Sequence, residues 1–132
     1  MRSVIQTGTV DLLQFHGSES PEFCEQFAMP YMKAVAVKGD SNLQEVIAPY
    51  ETARYILLDS YDPIMPGGTG KTFDWHKVER LTERQQSRLV LAGGLKPDNV
   101  CLAIETVRPF GVDVSSGVEA SKGIKDVEKM KS

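Results

Sequence analysis

The side chains of this 132-residue chain that could do chemistry sit in a few short segments. Asp59 closes the apolar run Ile56-Leu57-Leu58. A carboxylate at the mouth of a buried strand loses water, so its pKa rises and it can act as a general acid. The position suits a turn or helix cap equally well, and position alone leaves both readings open. Gly93-Gly94 follows the run Leu89–Ala92. Adjacent glycines let backbone N–H groups approach an anion closely, although a tight turn also explains them. Ser115-Ser116-Gly117-Val118-Glu119 offers two hydroxyls and a series of N–H donors leading into a short helix, which suits a phosphate. Two such turns after successive apolar runs make a stronger signal than either alone. Gln14 and His16 stand at the end of the first apolar run, where a lone histidine is more often structural than catalytic.

Other segments invite chemistry that the spacing rejects. Gly67-Gly68-Thr69-Gly70-Lys71-Thr72 contains the GKT of a nucleotide-binding P-loop. That motif needs glycine five positions before the Gly of GK, and here the position is Met65. A loop that closes over a ligand is the better reading. Cys24 and Cys101 fall on helix faces and read as packing thiols rather than nucleophiles. His16 and His76 are far apart with no cysteine or carboxylate at ligand spacing, so no metal site is expected. The formal charge is −3 with scattered basic residues, which argues against a nucleic-acid surface. No apolar run approaches a membrane span, and no secretory h-region is visible near Met1, so a cytoplasmic protein with reduced thiols is expected.

These segments need a scaffold, and the apolar pattern supplies one. The runs Val10–Phe15, Met32–Val37, Tyr55–Leu58, Leu89–Ala92 and Val112–Val114 are short and bounded by turn residues, as buried parallel strands are. Helix signals lie between them. Ser20-Pro21 is an N-cap followed by proline, and Ser41 to Gln44 fits a capping box. Asp74 and Asp126 are further caps, and Pro97-Asp98-Asn99 starts a helix with Val100, Ala103, Ile104 and Val107 turned inward. A β-α unit repeated along one undivided domain, residues 1–132, predicts an α/β fold with a parallel sheet. Phosphate-type turns after the last two strands favour a (β/α) barrel over a doubly wound sheet.

In this order, the segments Leu13–Gly17, Leu57–Ser60, Gly67–Trp75, Leu91–Val100 and Val112–Glu119 closely resemble the phosphoribosylanthranilate isomerase family. The resemblance runs from about Val10 to Met130. It implies a TIM barrel and an Amadori rearrangement in tryptophan biosynthesis, with a sugar-phosphate substrate and no cofactor or metal. It assigns the acid to Asp59 and phosphate binding to Gly93, Gly94, Ser116 and Gly117. Gln14, His16 and Gly68 would line the substrate. The family's base is a cysteine in a Cys-Gly-Ile-Thr motif at the end of its first strand, and no such motif occurs here. The resemblance therefore implies strands four to eight of the barrel, five of eight, and a chain inactive by itself. Open sheet edges would then invite pairing with a second copy.

Overall fold

The computed structural model describes residues 1–38, 42–60 and 73–131. A short helix α1 (Arg2–Ile5) precedes the first strand β1 (Leu13–Phe15). Next come α2 (Pro21–Glu25), β2 (Tyr31–Val37) and α3 (Leu43–Ile47), which runs on into a 3₁₀ turn (Ala48–Tyr50). Strand β3 (Tyr55–Ser60) leads to a 3₁₀ helix (Trp75–Arg80) and α4 (Glu83–Gln86). Strand β4 (Leu89–Leu91), α5 (Val100–Val107) and β5 (Gly111–Val112) follow. A last 3₁₀ turn (Ser116–Val118), the hairpin β6 (Glu119–Ser121) and β7 (Ile124–Lys125), and α6 (Val127–Lys131) end the described chain.

Strands β1 to β5 form one parallel sheet in the order β1-β2-β3-β4-β5. Each crossover therefore moves to the next position in the same direction. A doubly wound sheet reverses its strand order at a switch point, and this sheet does not. The parallel α/β expectation holds, with shorter ends than the apolar runs suggested: β1 begins at Leu13 rather than Val10, and β5 stops at Val112. Strand β3 is longer and takes Asp59 and Ser60 into the sheet.

Period-two alternation divides the sheet into unlike faces. Phe15, Tyr31, Val35, Val37, Ile56, Leu58, Leu89 and Leu91 are buried on one side, under the helices. There they meet Cys24, Leu43, Ile47, Val78, Leu81, Ala103 and Val107 in one cluster. Gln14, Ala34, Leu57, Asp59 and Ala92 occupy the other side and line a cleft. Burying the helix-side chains at about 25 cal/mol per Å² drives the docking of helices that are too short to be stable alone.

The capping signals are largely realised. Ser20 Oγ accepts the Phe23 N–H at 3.3 Å, and Asp74 Oδ1 accepts that of His76 at 3.1 Å. Asp126 Oδ1 accepts the Glu128 N–H at 2.9 Å. For α3 the cap is Asn42, which accepts from the Gln44 N–H at 3.1 Å. Ser41 lies outside the described residues. Two side chains correct the helix reading. Ile104 is 45% exposed rather than turned inward, because α5 buries a narrow stripe through Ala103 and Val107. Cys24 is fully buried as expected, whereas Cys101 is exposed on the outer face of α5. No helix among the described residues is long and apolar enough to cross a membrane.

Candidate active site

The C-terminal ends of the five strands open onto a cleft of about 960 Å³, ample for a small phosphorylated ligand. Asp59 reaches it from β3, one residue beyond the buried Leu58. Its side chain faces the cleft, yet desolvation by the surrounding atoms pushes its carboxyl above the ordinary aspartate value. The Ser60 backbone N–H opposes that rise, and the negative charge of Asp113 adds to it. Such a carboxyl holds a proton at a higher pH than a free aspartate does, as a general acid requires.

The glycine turns are built by steric exclusion. Gly93 has φ +77° and Gly94 φ +67°, in the left-handed region that side chains resist. A Cβ on Gly93 would collide with the Ser60 backbone and Oγ and with Asp59 Oδ1, so this glycine lets the turn close against the acid. Asn99 holds the turn from behind, its Nδ2 donating to the Gly94 carbonyl at 3.0 Å. Its Oδ1 accepts the Lys96 N–H at 2.9 Å. A Cβ on Gly117 would strike the Leu95 carbonyl, so the turn after β5 packs directly on the turn after β4. Gly93, Gly94, Ser116 and Gly117 thus all line one wall of the cleft. Lys125 braces that wall: its Nζ donates to the Ser115 carbonyl at 2.8 Å and pairs with Glu119 Oε1 at 3.0 Å.

Gln14 and His16 line the cleft from its β1 side, both exposed. Gly68 and the rest of the glycine-rich loop lie outside the described residues. Asp113 and Glu119, which the sequence placed in the segment Val112–Glu119 without a role, also line the cleft, together with Ser121, Lys122 and Gly123, for which the sequence offered no expectation. Asp113 was legible in principle, since a carboxylate between Val112 and Val114 must turn away from the apolar face. The hairpin residues carried no such signal. Neither Cys24 nor Cys101 lines the cleft. No group of three His, Cys, Asp or Glu among the described residues could hold a metal ion.

Comparison with known proteins identifies the family. The family described as N-(5'phosphoribosyl)anthranilate (PRA) isomerase matches residues 1–132. An N-(5'-phosphoribosyl)anthranilate isomerase from Cellvibrio japonicus is 51% identical over 130 residues, covering 98% of this chain and 59% of the relative. The crystal structure of phosphoribosyl anthranilate isomerase from Thermotoga maritima superposes with a TM-score of 0.83 at 42% identity, covering 98% of this chain and 62% of that one. A phosphoribosyl anthranilate isomerase solved with reduced 1-(o-carboxyphenylamino)-1-deoxyribulose 5-phosphate gives 0.77 at 36% identity, covering 98% and 60%. The chain thus spans about three-fifths of the length of the relatives it matches. With the family matched along the whole sequence and the sheet superposing on its solved structures, the chain belongs to the phosphoribosylanthranilate isomerase family.

Proposed function

We propose that this chain supplies the general acid and the phosphate wall of a phosphoribosylanthranilate isomerase, acting in cytoplasmic tryptophan biosynthesis. In this reading its five parallel strands belong to an eight-stranded barrel. One observation carries the proposal: Asp59, with its raised carboxyl, stands directly against Gly93 in a cleft whose adjoining wall is Gly94, Ser116 and Gly117.

The chemistry follows from that arrangement. Backbone N–H groups of the two turns hold the substrate phosphate and fix the ribose over Asp59. The protonated Asp59 gives its proton to the ribose ring oxygen as the C1–O bond breaks. The anthranilate nitrogen lone pair forms a C=N bond to C1, and Asp59 is left as a carboxylate. A base then removes the C2 proton, the C–H electrons form the C1=C2 double bond as the C=N π pair returns to the anthranilate nitrogen, and the resulting enol tautomerises to the ketone. Gln14 and His16 face the anthranilate side, and Gly68 would close over the substrate. The family resemblance makes the base a cysteine of a Cys-Gly-Ile-Thr motif, and neither Cys24 nor Cys101 lines the cleft, so in this reading the N-terminal part of the barrel supplies it.

The test is complementation. The purified chain alone should show no turnover. Turnover should appear when the N-terminal two-fifths of the Cellvibrio relative is supplied in trans. Asp59→Asn should lower it by roughly 10²-fold or more. Turnover by the chain alone, abolished by Asp59→Ala, would sink the division of acid and base between two pieces.

A second reading is sugar-phosphate binding without catalysis, or assembly of two copies through the edge strands β1 and β5. The intact phosphate wall beside a cleft without a thiol favours the first. Inorganic phosphate that leaves the Gly94 and Gly117 amide resonances unmoved would argue against phosphate binding. Sedimentation as a folded monomer would remove the paired assembly.

A further inference from the structure

Among the described residues, Lys33 is the one charged side chain in the buried class, 3% exposed. It lies on the helix side of β2, in register with Phe15 of β1 and Ile56 of β3, where every neighbouring position is apolar. A buried ammonium is costly unless its protons are used, so this lysine has work to do there. Its Nζ donates to the Gly17 carbonyl at 2.6 Å and to Glu19 Oε2 at 3.0 Å. The same Nζ lies 5.5 Å from the centre of the Tyr50 ring. Glu19 turns back on the same glycine, accepting the Gly17 N–H at 2.9 Å on Oε2 and 3.2 Å on Oε1. Tyr50 closes the set, its hydroxyl donating to the Glu19 carbonyl at 2.8 Å. Burial works against the Glu19 charge, but its hydrogen bonds and the Lys33 ammonium outweigh that and hold its carboxyl below the ordinary value.

Both backbone groups of Gly17 are therefore held by side chains, the carbonyl by the buried Lys33 and the N–H by the partly exposed Glu19 that Lys33 pairs with. The residue joined to Gly17 is His16, which faces the cleft. We infer that Lys33, with Glu19 and Tyr50, is a positioning residue that clamps Gly17 and so fixes His16 over the substrate side of the cleft. The inference rests on the reading of His16 as substrate-lining, and it reaches across the sheet: the clamp sits on one face and the effect appears at the mouth of the other. Lys33 touches no substrate. It acts through Gly17.

The experiment uses the full chain. Glu19→Ala removes a partly exposed side chain and no apolar packing, and leaves the buried Lys33 ammonium with the Gly17 carbonyl and the Tyr50 ring. It and Lys33→Met should raise hydrogen exchange at the Gly17 amide by about tenfold and shift the His16 ring resonances. The amides of Gly93, Gly94 and Gly117 should keep their rates. Glu19→Gln keeps an acceptor for both donors and should restore most of the protection. Affinity for reduced 1-(o-carboxyphenylamino)-1-deoxyribulose 5-phosphate should fall about fivefold in Glu19→Ala, with affinity for inorganic phosphate unchanged. Unchanged exchange at Gly17 overturns the inference, and so does an equal rise at all four glycines, which would mark general loosening. If the wild-type chain fails to bind the analogue, the reading of His16 falls, and Gly17 exchange alone then decides whether the clamp exists.

Discussion

The two walls of the cleft are held in place by opposite means. The phosphate wall after β4 and β5 is a steric construction. Gly93 sits where a Cβ would overlap Ser60 and Asp59 at the end of β3, Gly117 where one would overlap the Leu95 backbone, and the turns lock because nothing larger fits. The wall after β1 is a polar construction. Gly17 and Glu19 are pinned by Lys33 and Tyr50, which lie 14 to 31 residues away in sequence from the groups they hold. Exclusion of side chains leaves a mark in the sequence, because only glycine satisfies it. A clamp of long side chains leaves none, because lysine, glutamate and tyrosine are ordinary residues until the fold brings them together. One cleft thus has a wall that tolerates almost no substitution and a wall that should loosen by degrees.

Gly117→Ala is the severest way to test the steric wall. Its Cβ would overlap the Leu95 carbonyl, and the turns must separate. A cost of about 2–3 kcal/mol in urea unfolding is expected, as for an overpacked core, together with loss of the phosphate-induced shift at Gly94. Gly93→Ala should follow closely, since it adds a left-handed φ to a collision with Ser60 and Asp59. Retention of wild-type phosphate binding in both variants would break the contrast.

On the polar wall, Glu19→Ala should cost about 1–2 kcal/mol by the same measurement, because hydrogen bonds are lost without a steric clash. Its sign with pH is fixed by the depressed Glu19 carboxyl. The stabilisation is present above the ordinary glutamate range and is lost as pH falls through the folded-state value. The gap between wild type and Glu19→Ala should therefore narrow in acid.

Asp59 lies between the walls and has the opposite sign. Its carboxyl is raised in the fold, chiefly by desolvation, so ionising it opposes folding. Asp59→Asn should melt higher than wild type at neutral pH. That advantage should disappear below the ordinary aspartate range, where both side chains are uncharged in the folded and unfolded chain. A variant that melts lower at neutral pH would contradict the desolvated reading of Asp59. The smallest effect is expected from Lys125→Met. It frees the Ser115 carbonyl and the Glu119 carboxylate at an exposed site and should cost less than about 1 kcal/mol.

Much of this was legible before any coordinates. Alternating apolar runs and caps at Ser20, Asp74 and Asp126 announce β-α units, because strand burial and helix capping are local rules. Asp59 and the Gly93-Gly94 pair were legible for a related reason. A carboxylate ending an apolar strand and adjacent glycines are chemically conspicuous. The hairpin β6–β7 is not legible because Glu119 to Lys125 carries only Ala120 and Ile124 as apolar residues and lacks an apolar period. Helix α4 was missed because its Thr82–Gln85 capping box spans a single turn with no buried side chain.

What the sequence determined by itself was the set of parts: five strands, their helices, a candidate acid and two glycine turns, all fixed by local propensity and the alternation of apolar residues. The tertiary structure decided which parts meet. Strand register put Asp59 beside Gly93 and turned Asp113 toward the same cleft. It also carried Lys33 to the helix side, where it reaches under β1 to Gly17. Contacts between residues distant in the chain depend on the register and packing of whole elements, and no short segment contains that information.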